Sequence, residues 1–78
     1  MSKLLHDTGL ALYGPRWQTE LSRDLQVSDR TVRRWAAGAD DIPPGVAMDL
    51  WRLCEERRLL LDDVIDRLKA ASMPVRVS

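Results

Sequence analysis

Arginines cluster on one side of a short predicted helix. Ser28 favours the N-cap position and Asp29 suits the first helical turn, which places Arg30, Arg33 and Arg34 on one outward face. A guanidinium is a planar fork of N–H donors that binds phosphate oxygens and also matches the O6 and N7 atoms of guanine. The alternative is a solvated face whose charges pair one turn apart along the helix.

Residue types that catalyse reactions or bind metals are scarce. Cys54 and His6 are the sole cysteine and the sole histidine among the 78 residues. One cysteine forms no internal disulfide and no cysteine-rich metal cage, and one histidine leaves little for Ser-His-Asp or multi-histidine chemistry. We therefore expect a binding protein rather than an enzyme, with no cofactor and no metal site. Cys54 is expected to be a buried small hydrophobe, and no role is assigned to His6.

Charge is unevenly distributed although the chain has 12 basic and 12 acidic residues. The stretch from Arg16 to Arg34 holds five arginines and three acids, whereas the stretch from Asp40 to Asp66 holds eight acids and three arginines. This pattern indicates a phosphate-facing side and an opposite acidic side. A random fluctuation on a small chain is the alternative.

The apolar pattern predicts an all-α fold, a compact bundle of four to five helices over residues 1–71. A chain of 78 residues builds only a thin core, so we expect a helical bundle or stabilisation by a second copy. The tail 72–78 is expected to be frayed or a short edge strand. Caps, glycines and prolines delimit the predicted helices. These helices run from Ser2 to about Tyr13, from Trp17 to Leu25, from Ser28 to a stop at Gly38, from Pro44 onward, and from about Asp62. Whether a bend separates the last two helices stays open.

The second and third helices are separated by a tight break at Gln26 and Val27. Packing of such a pair requires inward-facing residues on both helices, a small residue at the crossing and an apolar residue in the turn. The positions that meet these requirements are Leu21, Ser22, Leu25, Val27, Val32 and Trp35. Over Gln18–Ala37 this spacing resembles the helix-turn-helix of the Cro and lambda-repressor (XRE-like) type. Gln26 stands where that family usually has glycine, and an ordinary helical hairpin is the alternative.

The resemblance implies a surface that contacts DNA. Its base-reading positions match Asp29, Arg30 and Arg34, with Arg33 close by. Asp29 either accepts from cytosine N4 or pairs with Arg33. The residues expected at phosphates are Arg16, Gln18, Thr19 and Ser28.

Recognition by one helix covers about four or five base pairs, too few to select a site in a genome. A symmetric homodimer places two such helices about 34 Å apart on an inverted repeat. More apolar side chains lie near the C-terminus than one small core needs, and those expected at the dimer interface are Trp51, Leu60, Leu61, Val64, Ile65 and Leu68. For Trp51 the alternative is the far edge of the core, and strand pairing through residues 75–77 is a second route to a dimer.

The family resemblance implies a sequence-specific transcriptional repressor that binds double-stranded DNA. Such proteins are encoded by phages and mobile elements, and an autoregulatory role without a small-molecule effector is expected. No apolar run approaches the roughly 20 residues of a membrane span, and the first residues lack a signal-peptide stretch, so a cytoplasmic location is expected. The alternative is a helix-turn-helix module that binds protein, such as an antitoxin or a phage DNA-packaging adaptor.

Overall fold

The structure, a computed structural model that describes residues 2–72, has helices as its only regular elements within that range. The all-α prediction is therefore confirmed, with four helices rather than five. Beyond Ser72, which closes the last helix, the predicted tail lies outside the described residues. The helices are α1 (Ser2–Tyr13), α2 (Trp17–Leu25), α3 (Asp29–Ala36) and α4 (Pro44–Ser72).

The core lies where α1, α2, α3 and the start of α4 meet. Its buried side chains are Leu5, Trp17, Leu21, Val32, Trp35 and Leu50. Trp17 and Trp35 are therefore core residues. All six positions expected to face inward do so, because Ser22 is also buried and Leu25 and Val27 pack against the cluster. Burial of these side chains fixes the angle between α2 and α3.

Close contact between α1 and α2 depends on a glycine. A Cβ atom added to Gly9 would lie 2.2 Å from Cδ2 of Trp17, well inside van der Waals contact. The missing side chain at Gly9 therefore lets the indole ring lie directly against α1. This contact sets the start of α2 against the core.

The last helix is continuous, so the bend considered before Asp62 is absent. No glycine or proline interrupts the chain between Gly45 and Ser72, and the backbone ladder continues unbroken. Leu50 is the buried residue of α4, whereas every residue from Arg58 to Ser72 is exposed. We call residues 2–57 the body and residues 58–72 the projecting segment.

The projecting segment gives the molecule an elongated shape. The described fold measures 60 × 22 × 20 Å, and its radius of gyration is 16.7 Å. A compact chain of this length would have a radius of gyration of about 11.5 Å. The difference arises because α4, at 29 residues, is more than twice as long as any helix that could flank it.

A polar contact fixes α4 at the point where it leaves the body. Arg57 donates from Nη1 to the carbonyl oxygen of Leu12 at 2.6 Å, and its guanidinium lies 5.5 Å from the ring centre of Tyr13. The Tyr13 hydroxyl donates to Asp24 on α2. Burial, together with this hydrogen bond and the charge of Asp24, raises the pKa of Tyr13 well above its usual range. One cluster thus ties together α1, α2 and α4.

Candidate nucleic-acid interface

The break between α2 and α3 is a left-handed turn at a glutamine. Gln26 has φ 58° and ψ 42°. Its N–H donates to the Arg23 carbonyl at 3.2 Å, and the N–H of Val27 donates to the Ser22 carbonyl at 3.0 Å. These two bonds form a Schellman motif, which closes α2. A left-handed glutamine costs about 1–2 kcal/mol, which the burial of the neighbouring side chains offsets.

Ser28 initiates α3 as its sequence position predicts. Its backbone is extended, with φ −73° and ψ 154°, and its Oγ accepts from the N–H of Thr31 at 3.1 Å. The helix then ends at a second Schellman motif, in which Gly38 has φ 78° and Ala39 donates to the Arg34 carbonyl at 2.9 Å. The eight residues of α3 are thus delimited at both ends by satisfied backbone groups.

A buried hydroxyl connects α2 to the first turn of α3. The Ser22 Oγ lies 2.6 Å from Oδ1 of Asp29 and 2.7 Å from the Thr19 carbonyl, so its single proton serves two acceptors. One oxygen of Asp29 is therefore turned toward α2. Asp29 and Arg33 form no ion pair within residues 2–72, and Oδ1 of the Asp29 carboxylate lies against Ser22.

The three arginines of α3 have different surroundings. Arg30 and Arg33 are exposed, and neither forms an ion pair with another residue in the range 2–72. Arg34 makes a bidentate pair with Asp40, with Nε 2.6 Å from Oδ2 and Nη2 3.3 Å from Oδ1. Hydrogen bonding to Arg34 lowers the pKa of Asp40, and the same bond raises the pKa of Arg34. Two arginines are thus free to contact a ligand, while the third is oriented by the protein.

The predicted phosphate contacts gather at the start of α2. Arg16 is the exposed residue that precedes α2, and Gln18 and Thr19 occupy its first turn. Backbone N–H groups of a first helical turn attract phosphate oxygens. Ser28 lies apart from these three in the chain, at the start of α3. Its Oγ is already used to cap α3.

Two contacts near α3 were not predicted from the sequence. His6 lies on α1, where its Nε2 is 3.3 Å from the Ala36 carbonyl and its ring meets Trp17 edge-on at 5.2 Å. It therefore links α1 to the last residue of α3. Asp40 belongs to the stretch that the charge count marks as acidic, and nothing in that count pairs it with Arg34. Both contacts join residues that only the fold brings together.

The residues expected at a dimer interface are on the surface. Trp51 is 66% exposed, so it is not the far edge of the core. It lines an apolar groove between α1 and α4 together with Leu4, Thr8 and Cys54. Cys54 is half-buried there rather than fully buried as expected. The other five, all on the projecting segment and 40% to 64% exposed, are Leu60, Leu61, Val64, Ile65 and Leu68.

Comparison with protein families, with curated proteins and with solved structures gives no significant match to this chain. Within residues 2–72, each helix is too short or too polar to cross a membrane. The same residues contain no group of three or more histidine, cysteine or acidic side chains arranged to hold a metal ion. The described residues that match the predicted DNA-contacting surface lie on α2, at the turn around Gln26 and on the exposed face of α3.

Proposed function

We propose that this protein is a sequence-specific transcriptional repressor that binds double-stranded DNA with α3 in the major groove. The observation that carries the proposal is the arginine-bearing outer face of α3, opposite its buried residues Val32 and Trp35. Arg30 and Arg33 on that face have no competing ion pair among residues 2–72. Two unpaired guanidiniums on one rigid helix provide donors for guanine edges or phosphates.

The dimensions of α3 support this placement. With its side chains an α-helix is about 10–12 Å across, and the major groove is about 12 Å wide, so the groove admits the exposed face of α3. The Ser28 cap and the bond from Ser22 to Asp29 hold the first turn against α2. Arg30 therefore projects from a fixed N-terminal turn, which is the part of a recognition helix that meets base edges.

The start of α2 supplies a second contact region. Arg16, Gln18 and Thr19 lie at the start of α2, where the backbone N–H groups of a first helical turn and the charge of Arg16 favour phosphate oxygens. Phosphate contacts fix the register of a protein on a duplex, whereas base contacts select the sequence. In this proposal α2 positions the protein and α3 selects the site.

A second copy of the chain completes the binding unit. One helix reads about four or five base pairs, so selection in a genome requires two. The projecting segment leaves Leu61, Val64 and Leu68 uncovered on one face, and a two-fold axis along that face would cover both copies equally. An inverted repeat upstream of the gene itself would match such a dimer and account for autoregulation.

The test is a binding titration with the DNA upstream of the gene and a shuffled duplex of the same length. Replacement of Arg30 and Arg33 by alanine is expected to weaken specific binding by about 1–3 kcal/mol for each arginine that reads a guanine. Binding is also expected to weaken steeply with salt, because phosphate contacts displace counterions.

The matched control is Arg52→Ala, which removes an exposed arginine of α4 that pairs with Asp49. This variant should retain specific binding. Unchanged affinity after replacement of both Arg30 and Arg33 would contradict the assignment of α3 as the recognition helix.

A further inference from the structure

The loop after α3 returns an acidic side chain to the recognition face. Gly38 adopts φ 78°, and the N–H of Ala39 donates to the Arg34 carbonyl at 2.9 Å. This turn reverses the chain direction directly after α3. As a result, the carboxylate of Asp40 lies beside the guanidinium of Arg34, six residues earlier in the chain.

Asp40 engages only one edge of that guanidinium. Its two oxygens accept from Nε at 2.6 Å and from Nη2 at 3.3 Å. A guanidinium has five N–H donors, so Nη1 and the second hydrogen of Nη2 remain for another acceptor. Those two nitrogens form the fork that a guanine can meet with O6 and N7. Both side chains are about half exposed, so the free edge is accessible to a ligand.

We propose that Asp40 is a positioning residue that orients Arg34 toward a guanine of the DNA site. This inference rests on the proposed function. An arginine held by a carboxylate keeps one orientation, whereas Arg30 and Arg33, without such a partner among residues 2–72, must lose side-chain freedom on binding. Asp40 thereby determines specificity at one base pair without contacting it.

Competition between Asp40 and DNA for Arg34 would affect DNA affinity differently. If Asp40 instead occupied Arg34 as a competitor of DNA, its removal would strengthen binding to every sequence. An orienting carboxylate improves binding only to sites that carry the guanine. The two roles are therefore distinguished by the ratio of affinities for matched and mismatched sites.

The experiment starts with selection of sites from a random duplex library by the unmodified protein. The position read by Arg34 is the one at which Arg34→Ala no longer distinguishes guanine from other bases. Affinities of Asp40→Asn, Asp40→Glu and Asp41→Asn are then measured on the selected site and on duplexes changed at that position. Asp41→Asn is the matched control, because it removes the same charge from the adjacent residue, which pairs with no residue in the range 2–72. Thermal unfolding of each variant checks that the fold is retained.

Asp40→Asn is expected to lower the preference for guanine by up to about tenfold, because Arg34 without a fixed orientation makes a weaker bidentate contact with the base. Asp40→Glu should restore part of that preference, and Asp41→Asn should leave it unchanged. If Asp40→Asn and Asp41→Asn had the same preference for guanine, the orienting role of Asp40 would be wrong and the proposed function would stand. The same conclusion would follow if Asp40→Asn bound every duplex more tightly than Asp41→Asn. A protein that selects no site from the library would overturn the proposed function as well.

Discussion

Two parts of a single helix face have opposite environments in this protein. Leu50 and Leu68 are 18 residues apart, which is close to a whole number of turns at about 3.6 residues per turn. They therefore point in the same direction from α4, yet Leu50 is 6% exposed and Leu68 is 61% exposed. In the body α1 and its neighbours cover that face, and along the projecting segment nothing in residues 2–72 does. The same apolar pattern thus stabilises the fold in one half and remains available to a partner in the other.

The largest expected difference between the two regions is in the free energy of unfolding. Leu21→Ala removes a fully buried core side chain and is expected to cost about 2–5 kcal/mol. Leu68→Ala should change the stability of the monomer by less than about 0.5 kcal/mol, because its side chain is exposed. Urea denaturation at low protein concentration measures both values. A large destabilisation by Leu68→Ala under those conditions would show that the projecting segment belongs to the monomer core.

The next effect concerns self-association of the projecting segment. Leu68→Glu is expected to weaken a dimer by about 2 kcal/mol or more per chain, since it removes buried apolar area and introduces a charge. Leu59→Glu is the matched control, because Leu59 lies nine residues from Leu50, about two and a half turns, and so projects from the opposite side of α4. Sedimentation equilibrium measures the dissociation constants. If the wild type is a monomer at micromolar concentration, with or without DNA, the dimer proposal is wrong.

A smaller difference is expected between two serines at helix ends. Ser28→Ala removes the cap of α3 and should lower stability by about 1 kcal/mol, which corresponds to a melting temperature about 5 °C lower. Ser72 donates to the Lys69 carbonyl at the end of the projecting segment. Ser72→Ala should leave the melting temperature almost unchanged. Thermal unfolding followed by circular dichroism compares the two variants directly.

The smallest expected effect is a gain in stability. Gln26→Gly removes the steric cost of the left-handed turn, and part of that gain is offset because glycine is more flexible in the unfolded chain. We expect stabilisation by up to about 1 kcal/mol, with no change in DNA affinity. Denaturation and binding titration measure the two quantities. A destabilised variant would indicate that the side chain of Gln26 makes a contact that stabilises the turn.

Much of the body could be predicted because its signals are local. The limits of α2, the cap at Ser28 and the stop at Gly38 follow from propensities and from residues within one turn of each boundary. The inward positions from Leu21 to Trp35 follow from helical periodicity. The continuity of α4 could not be predicted with the same certainty. Its two apolar segments fit either one helix or two, and no breaker residue decides between them.

The candidate site was predicted only at the level of residue type. The sequence places three arginines on one face of α3, but it does not distinguish Arg34, which is held by Asp40, from Arg30 and Arg33. The sequence also suggests cytosine N4 or Arg33 as the partner of Asp29, whereas in the structure Asp29 accepts from Ser22. Each of these differences depends on how a loop or a neighbouring helix returns to α3.

By itself, the sequence determined where α1, α2 and α3 begin and end and which of their sides are apolar, since both depend on neighbours within a few positions along the chain. Only the tertiary structure decided the contacts of Arg57 with Leu12, of His6 with Ala36 and of Arg34 with Asp40. It also decided that the apolar face of α4 is covered only as far as the shorter helices reach. Such contacts depend on the packing angles of whole helices, and side-chain periodicity along one helix does not specify those angles.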